Sequence, residues 1–186
     1  SSQLIAKTGY SRIGGYEIYL SRPELGASLW ETILEAGRSE NIRPGSPNII
    51  DRVEAGLLSY GNEMTVENTP LECNMDKFVD INKQENYIGK KVLLRQIKYG
   101  IKRRIKGVIY EGPKLPTISR PLQVFDTDKR TIVGSLTSGA FSPHFESNIG
   151  VGMINKGYWD NNKEILININ AKEFRAGLIK DLPLIK

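Results

Sequence analysis

Ile105-Lys106-Gly107-Val108-Ile109-Tyr110, followed at once by Glu111-Gly112-Pro113, is the stretch on which the fold turns. Branched and aromatic residues in a short run suit a pleated, half-buried strand, and Glu-Gly-Pro is a turn signal. Similar runs recur to the end of the chain, over 122–126, 132–137, 149–154, 164–170 and 174–179. Asp-Thr-Asp-Lys, Ser-Pro-His and Asp-Asn-Asn-Lys mark turns among them. Six strands at this spacing predict a small barrel or sandwich.

Before Gly100 the texture is helical. Pro23 suits a first helical position, and Gly37 suits the residue just past a helix end. Between them Leu25, Leu29 and Ile33 recur four apart, flanked by Trp30 and Leu34, which predicts one apolar face. Ser46-Pro47 reads as the N-cap and first-turn proline of a second helix, which buries Ile49, Ile50 and Val53 and stops at Gly56. Segment 62–76 reads as loop and Phe78-Val79-Asp80-Ile81 as a short strand. Gly89 precedes a basic amphipathic helix over 90–98, with Val92, Leu93 and Ile97 expected inward. Near the N-terminus 16–20 is strand-like, and Gly9, Gly14 and Gly15 connect it to an earlier strand over 3–7. The expected fold class is α+β, with a domain boundary near 98–102. A chain that opens at Ser1 in mid-sheet, with no initiator Met, is expected to have further sequence upstream.

Composition narrows the class. Of 186 residues 39% are apolar and 25% charged, which excludes collagen, coiled coil and wholesale disorder. No apolar run approaches the ~18 residues a membrane span needs, and the N-terminus lacks the plan of a signal peptide. One cysteine, Cys73, makes neither an internal disulfide nor a Cys-rich zinc site, so a reducing, cytoplasm-like compartment is expected. The net charge of +5 is unevenly placed. Residues 1–89 hold 8 basic and 13 acidic groups, 90–106 hold 8 basic and no acidic ones, and 107–186 hold 10 and 8. The basic stretch has one aromatic, Tyr99, where single-strand platforms use several, so no specific nucleic acid is expected.

His144 is the sole histidine and has no partners at ligand spacing, so no metal site is expected, and a histidine-based triad is disfavoured. Cys73, beside Glu72, reads as a structural thiol. Gly-Ser-Leu-Thr-Ser-Gly at 134–139 lacks the lysine of a phosphate loop. More informative is the glycine-rich approach to Tyr16-Glu17-Ile18-Tyr19. By alternation Glu17 and Tyr19 share one strand face. Glu17 is either a solvent-face carboxylate, the partner of a base, or a clamp for a flat heterocycle with parallel N–H donors, and the last needs a cavity on its face. Asp51 and Glu54 fall one helical turn apart with Arg52 between them, a pattern that ordinary surface charges also produce.

Read in order, these clusters resemble the aminomethyltransferase (glycine cleavage T-protein) family. Thr8-Gly9-Tyr10 with Gly15-Tyr16-Glu17-Ile18-Tyr19 resembles its TGYTGE-DG-[FY]-E-[IL]-[YF] segment. The run from Asp51-Arg52-Val53-Glu54-Ala55-Gly56 to Tyr60-Gly61-Asn62-Glu63 is similar to RDxLRLEAGxxLYGxD. Thr69-Pro70-Leu71-Glu72, Tyr87-Ile88-Gly89-Lys90, Gly134 to Pro143 (GxVTSGxxSP) and the C-terminal Ala176 to Leu184 follow in register.

The resemblance implies the last part of the folate-binding α/β domain of a three-lobed cloverleaf over 1–99, then a C-terminal six-stranded β-barrel over 100–186. It implies tetrahydrofolate as cofactor, with Tyr10, Glu17, Arg52 and Tyr60 as folate-binding residues. A carboxylate accepting two N–H groups of a pterin edge gains ~1.5–3 kcal/mol per bond in a partly dry site. Arg52 is expected to orient Glu17 or to meet an anionic part of the ligand. Donors in the family are an aminomethyl-loaded lipoyl carrier (H-) protein, a small sulfonium compound or an N-methylated amine. The family's catalytic aspartate is expected upstream of Ser1. No residue of this chain is therefore expected to be catalytic, and the chain alone is expected to be inactive. Ser11-Arg12-Ile13 replaces two acids of the family pattern, and Ser-Pro-Asn-Ile-Ile-Asp stands before Arg52. These departures point toward the dimethylsulfoniopropionate-demethylating relatives, and a folate binder without turnover is the other alternative. The implied location is the cytoplasm, or the mitochondrial matrix in a eukaryote.

Overall fold

The computed structural model describes residues 3–10, 14–46, 48–170 and 172–185. Two short strands, β1 (Leu4–Ala6) and β2 (Glu17–Tyr19), pair antiparallel with Ala6 opposite Glu17. Three helices follow: α1 (Gly26–Ala36), α2 (Ile49–Glu54) and α3 (Lys90–Tyr99). The remainder is β3 (Arg103–Tyr110), β4 (Leu122–Phe125), β5 (Ile132–Ser142), β6 (Ser147–Asn155), β7 (Glu164–Asn170) and β8 (Glu173–Lys180). These six close into an antiparallel barrel in the order β3-β6-β5-β4-β7-β8. Closure removes the unpaired edges that a six-stranded open sheet would expose. The expected α+β class and six-stranded barrel are what the structure has.

Val108, Val124, Val133, Leu136, Ile154, Ile165, Ile167 and Ile179 fill the barrel interior with Tyr110. Burial pushes the Tyr110 hydroxyl up to about 12, so it stays neutral. β6 is buried on both faces. Ile149 and Val151 face outward, toward α2, where they form a second core with Val53 and Ile105. Gly150 faces inward, where its Cβ would meet Leu136. At Gly152 an added Cβ would stand 1.9 Å from the Ser135 carbonyl oxygen, so the β5–β6 approach tolerates no side chain.

β5 carries the bulge that matters most. Leu136 pairs with Gly152 and Ser138 with Val151, leaving Thr137 as the extra residue. Period-two alternation would place Ser138 on the interior face with Leu136. The inserted residue reverses the sense, so Ser138, Ala140 and Ser142 face outward under α2. The C-terminal segment then seals the seam. Leu182 and Leu184 pack on the second core, and the Leu184 and Ile185 N–H groups donate to the Glu54 carbonyl at 2.9 and 3.2 Å.

Several local expectations are corrected. Asn48, not Ser46, caps α2: its side chain accepts from the Ile50 N–H at 2.9 Å, and Pro47 lies outside the described residues. Residues 78–81 form no strand. Asp76–Phe78 is a 3-10 turn, Phe78 is exposed, and the Asp80 side chain closes a local turn onto Asn82 N–H. Pro23–Leu25 is likewise a 3-10 turn leading into α1, whose apolar face is only half-buried. On α3 Leu93 is buried, but Val92 and Ile97 are exposed, and Val92 lines two open clefts that flank the helix.

Two outcomes test this packing. Gly152→Ala is expected to cost about 3 kcal/mol, since its neighbour is backbone and has nowhere to move, and denaturant melts measure it. At the β4–β5 turn the Tyr158 hydroxyl donates to Asp126 at 2.6 Å and, with the Thr127 N–H, holds that carboxyl below its usual range. A lowered folded pKa contributes stability above the unfolded value of about 3.9, and the contribution disappears as pH falls through the folded value. Melting temperature against pH is therefore expected to lose part of its acid limb in Asp126→Asn.

Candidate functional site

Arg52 is the centre of the described site. It occupies the middle of α2, on the side facing the barrel, and its side chain is 7% exposed. Nη1 donates to the Leu57 carbonyl at 2.8 Å and to Glu63 Oε2 at 2.9 Å. Nη2 donates to Ser138 Oγ at 2.7 Å and more weakly to Glu63 Oε1 at 3.4 Å. Glu63 is wholly buried and also accepts from the Ser59 N–H at 2.6 Å. Glu54, two residues on, is buried and accepts from the Ser142 hydroxyl at 2.5 Å. The two buried polar residues of α2 thus meet two outward serines of β5, Ser138 and Ser142. Gly56 then ends the helix at φ +66, where an added Cβ would stand 3.0 Å from the Leu182 side chain and 3.2 Å from the Pro183 backbone.

Tyr10 joins this centre from the N-terminal side. Its hydroxyl donates to the Leu58 carbonyl at 2.8 Å, and the Arg52 guanidinium sits 5.9 Å from its ring centroid. Half of Tyr10 is exposed. Residues 57–59 are consequently held at three successive points, by Arg52, Tyr10 and Glu63. Glu17 is exposed on β2, and among the described residues its hydrogen bond is from the Thr8 hydroxyl to Oε2. Thr8 is two residues before Tyr10, so the ribbon brings Glu17 and Tyr10 to the same end. Tyr60 stands apart. It is exposed at a turn, where its backbone bridges to Met64.

These positions revise the sequence reading of Arg52: it engages Glu63 and Ser138, not Glu17. Asp51-Arg52-Val53-Glu54 is not a run of surface charges, since Arg52 and Glu54 are both buried. Sequence reasoning missed Glu63, Ser138 and Ser142 as partners. The serines lie in the 134–143 motif that the family resemblance had marked, which was the available signal. Residues 11–13, where the family pattern is altered, lie outside the described residues. Ser1 lies outside them too, so a catalytic aspartate upstream of it is an expectation carried by the resemblance alone.

The remaining candidates are placed as follows. Cys73 is buried, and burial with the adjacent Glu72 charge pushes its thiol up. No group of three metal-binding side chains occurs among the described residues, and no helix there is long and apolar enough to cross a membrane. Within the basic stretch, Arg103 pairs with Glu72 and Lys106 with Asp181, while Arg95 and Lys102 line a cleft of about 680 Å³ with Lys156. A second cleft, of about 650 Å³, lies between Phe78, Ile88 and Val92.

The pairing of an α/β segment with a small closed barrel is met again in known proteins. Residues 2–83 match the GCVT N-terminal domain, and 103–185 match the glycine cleavage T-protein C-terminal barrel domain. The chain belongs to this aminomethyltransferase family. It is 42% identical over 156 residues, 84% of its length, to the dimethylsulfoniopropionate demethylase DmdA of Ruegeria pomeroyi, of which it covers 42%. It is 37% identical over 178 residues to an aminomethyltransferase of Caldanaerobacter subterraneus, covering 95% of this chain and 46% of that protein. The crystal structure of the glycine cleavage system aminomethyltransferase T of Bartonella henselae has the same fold, with a TM-score of 0.81 at 23% identity over 97% of this chain and 49% of that one. The chain spans about half the length of these relatives.

Arg52→Ala removes the charge that compensates a fully buried Glu63. The expected loss is about 3–5 kcal/mol of folding stability, read by urea unfolding. Ser142→Ala is expected to lose about 1–2 kcal/mol, because Glu54 keeps the rest of its surroundings.

Proposed function

We propose that this protein takes part in tetrahydrofolate-dependent one-carbon transfer, with Tyr10 and Glu17 holding the reduced pterin. The observation that carries the reading is the setting of Tyr10. One side of its ring lies under Arg52, its hydroxyl is pinned to Leu58, and half the residue remains open. A flat, pre-positioned aromatic with an open side offers contact area to a planar ligand at little entropic cost. Glu17 adds an exposed carboxylate at the same end of the ribbon, suited to adjacent N–H donors, and the cavity that this role needs on its face is part of the proposal. These residues fit the pterin in kind. Arg52 supports the reading as the holder of Tyr10 rather than as a ligand contact, and Tyr60 enters only through the family pattern.

The donor has two readings. Family membership favours an aminomethyl group delivered on a lipoyl carrier protein. The 42% identity to a dimethylsulfoniopropionate demethylase favours a sulfonium donor: its S–CH3 bond breaks with the pair staying on sulfur as a neutral thioether, an N–CH3 bond forms on folate, and the displaced N–H proton leaves to water. The second reading also accords with Ser11-Arg12-Ile13 standing where aminomethyltransferases carry acids.

Titration with tetrahydrofolate tests the proposal. Glu17→Gln is expected to weaken binding about 10- to 100-fold, the value of a charge-assisted bond lost. Unchanged affinity in that variant would remove Glu17 from the site. Product analysis with dimethylsulfoniopropionate and with an aminomethyl-loaded lipoyl carrier, supplied separately, decides the donor.

A further inference from the structure

The contacts of Tyr10 do not end at its own neighbours. They run through buried groups to the barrel wall. The ring lies under Arg52, and its hydroxyl rests on the Leu58 carbonyl. Arg52 grips the adjacent Leu57 carbonyl, and Glu63 grips the Ser59 N–H, so one guanidinium and one carboxylate fix the turn on which Tyr10 rests. Arg52 is fixed in turn by Glu63 and by Ser138 Oγ, 86 residues away on β5. The bulge at Thr137 turns Ser138 toward the arginine.

We infer that Ser138 and Glu63 are positioning residues: through Arg52 they set the orientation of Tyr10, so the barrel takes part in ligand recognition without touching the ligand. Geometry supports a directed role over general packing. A guanidinium is a planar fork, so where its acceptors sit decides its plane, and its plane decides how it faces the ring. With Ser138 removed, Nη2 keeps only the 3.4 Å contact to Glu63 and rotates toward it. Arg52 is 7% exposed, so water does not replace the lost acceptor. The 57–59 turn and the ring above it then shift together. The effect on ligand binding rests on the folate reading of Tyr10. The positioning itself does not.

Fluorine NMR of protein labelled with 3-fluorotyrosine separates the two. The Tyr10 resonance is one of eight and is assigned by its disappearance in Tyr10→Phe. Ser138→Ala is expected to move or broaden that resonance and to weaken tetrahydrofolate binding about 3- to 10-fold, while Ser138→Thr, which keeps the hydroxyl, restores both. Val133→Ala, a cavity inside the barrel on the same strand, is the control. It lowers the melting temperature without moving Tyr10. If Ser138→Ala leaves the resonance in place, or Val133→Ala moves it equally, the positioning role is overturned. If the resonance moves but the unmodified protein does not bind tetrahydrofolate, positioning stands and the folate reading fails. Where Ser138→Ala does not fold, Glu63→Gln is read by the same criteria.

Discussion

Everything in this fold hangs on a guanidinium taken out of water. Arg52 at 7% exposure would be strongly unfavourable alone, and so would Glu63 at zero. Together, with a serine hydroxyl, a carbonyl and a backbone N–H completing the set, they satisfy one another in a single arrangement. Displacing α2 by one turn along the barrel would strand both charges. The hydrophobic contacts of Val53 with Ile105, Ile149 and Val151 supply attraction, but such contacts tolerate sliding. The polar pairs Arg52–Ser138 and Glu54–Ser142 do not, because each has one geometry. Apolar area brings the helix to the barrel, and the buried polar pairs decide where it rests.

The barrel was legible because its strands are short, branched and punctuated. The run over 164–170 matches β7 residue for residue, β4 ends one residue before expectation, and β6 begins two residues earlier and ends one later. Legibility failed at the bulge. The run of branched residues in the third barrel strand stops at Thr137, before Ser138-Gly139-Ala140, yet β5 continues to Ser142. The extra residue that turns Ser138 outward leaves no mark in composition. The same logic explains α3. Its apolar period is real, but a period names a face and not what lies against it, and only Leu93 finds cover. At 78–81 propensity suggested a strand where no neighbouring strand exists to pair with it among the described residues.

The residues gathered around Arg52 were legible one by one, and their connections were not. Tyr10, Glu17 and Arg52 came from family motifs, and the ribbon does place Thr8, Tyr10 and Glu17 at one end. Nothing in the chain announces that Arg52 spends its donors on Glu63, eleven residues on, and Ser138, 86 residues on. Sequence shows that a residue carries charge. Only packing shows whether that charge meets solvent, a ligand or a buried partner, and Arg52 proved to be the third case.

The two parts of the chain are stabilised differently, and this bears on how a ligand would be held. The barrel has an interior of its own, nine buried side chains closed by six strands. The residues before Gly100 bury few large apolar groups, with Val53 and Leu93 the chief ones, and leave Ile5, Tyr16, Trp30, Phe78 and Ile88 exposed. Having little core, this part takes its order from α2, whose inner face belongs to the barrel. Position is then inherited outward: β5 orders Arg52, Arg52 orders the 57–59 turn, and the turn receives Tyr10. Stiffness is greatest at the barrel and falls along that path, because each link has less burial behind it than the one before. A ligand meeting Tyr10 therefore meets the far end of a rigid support whose base is a closed β-barrel.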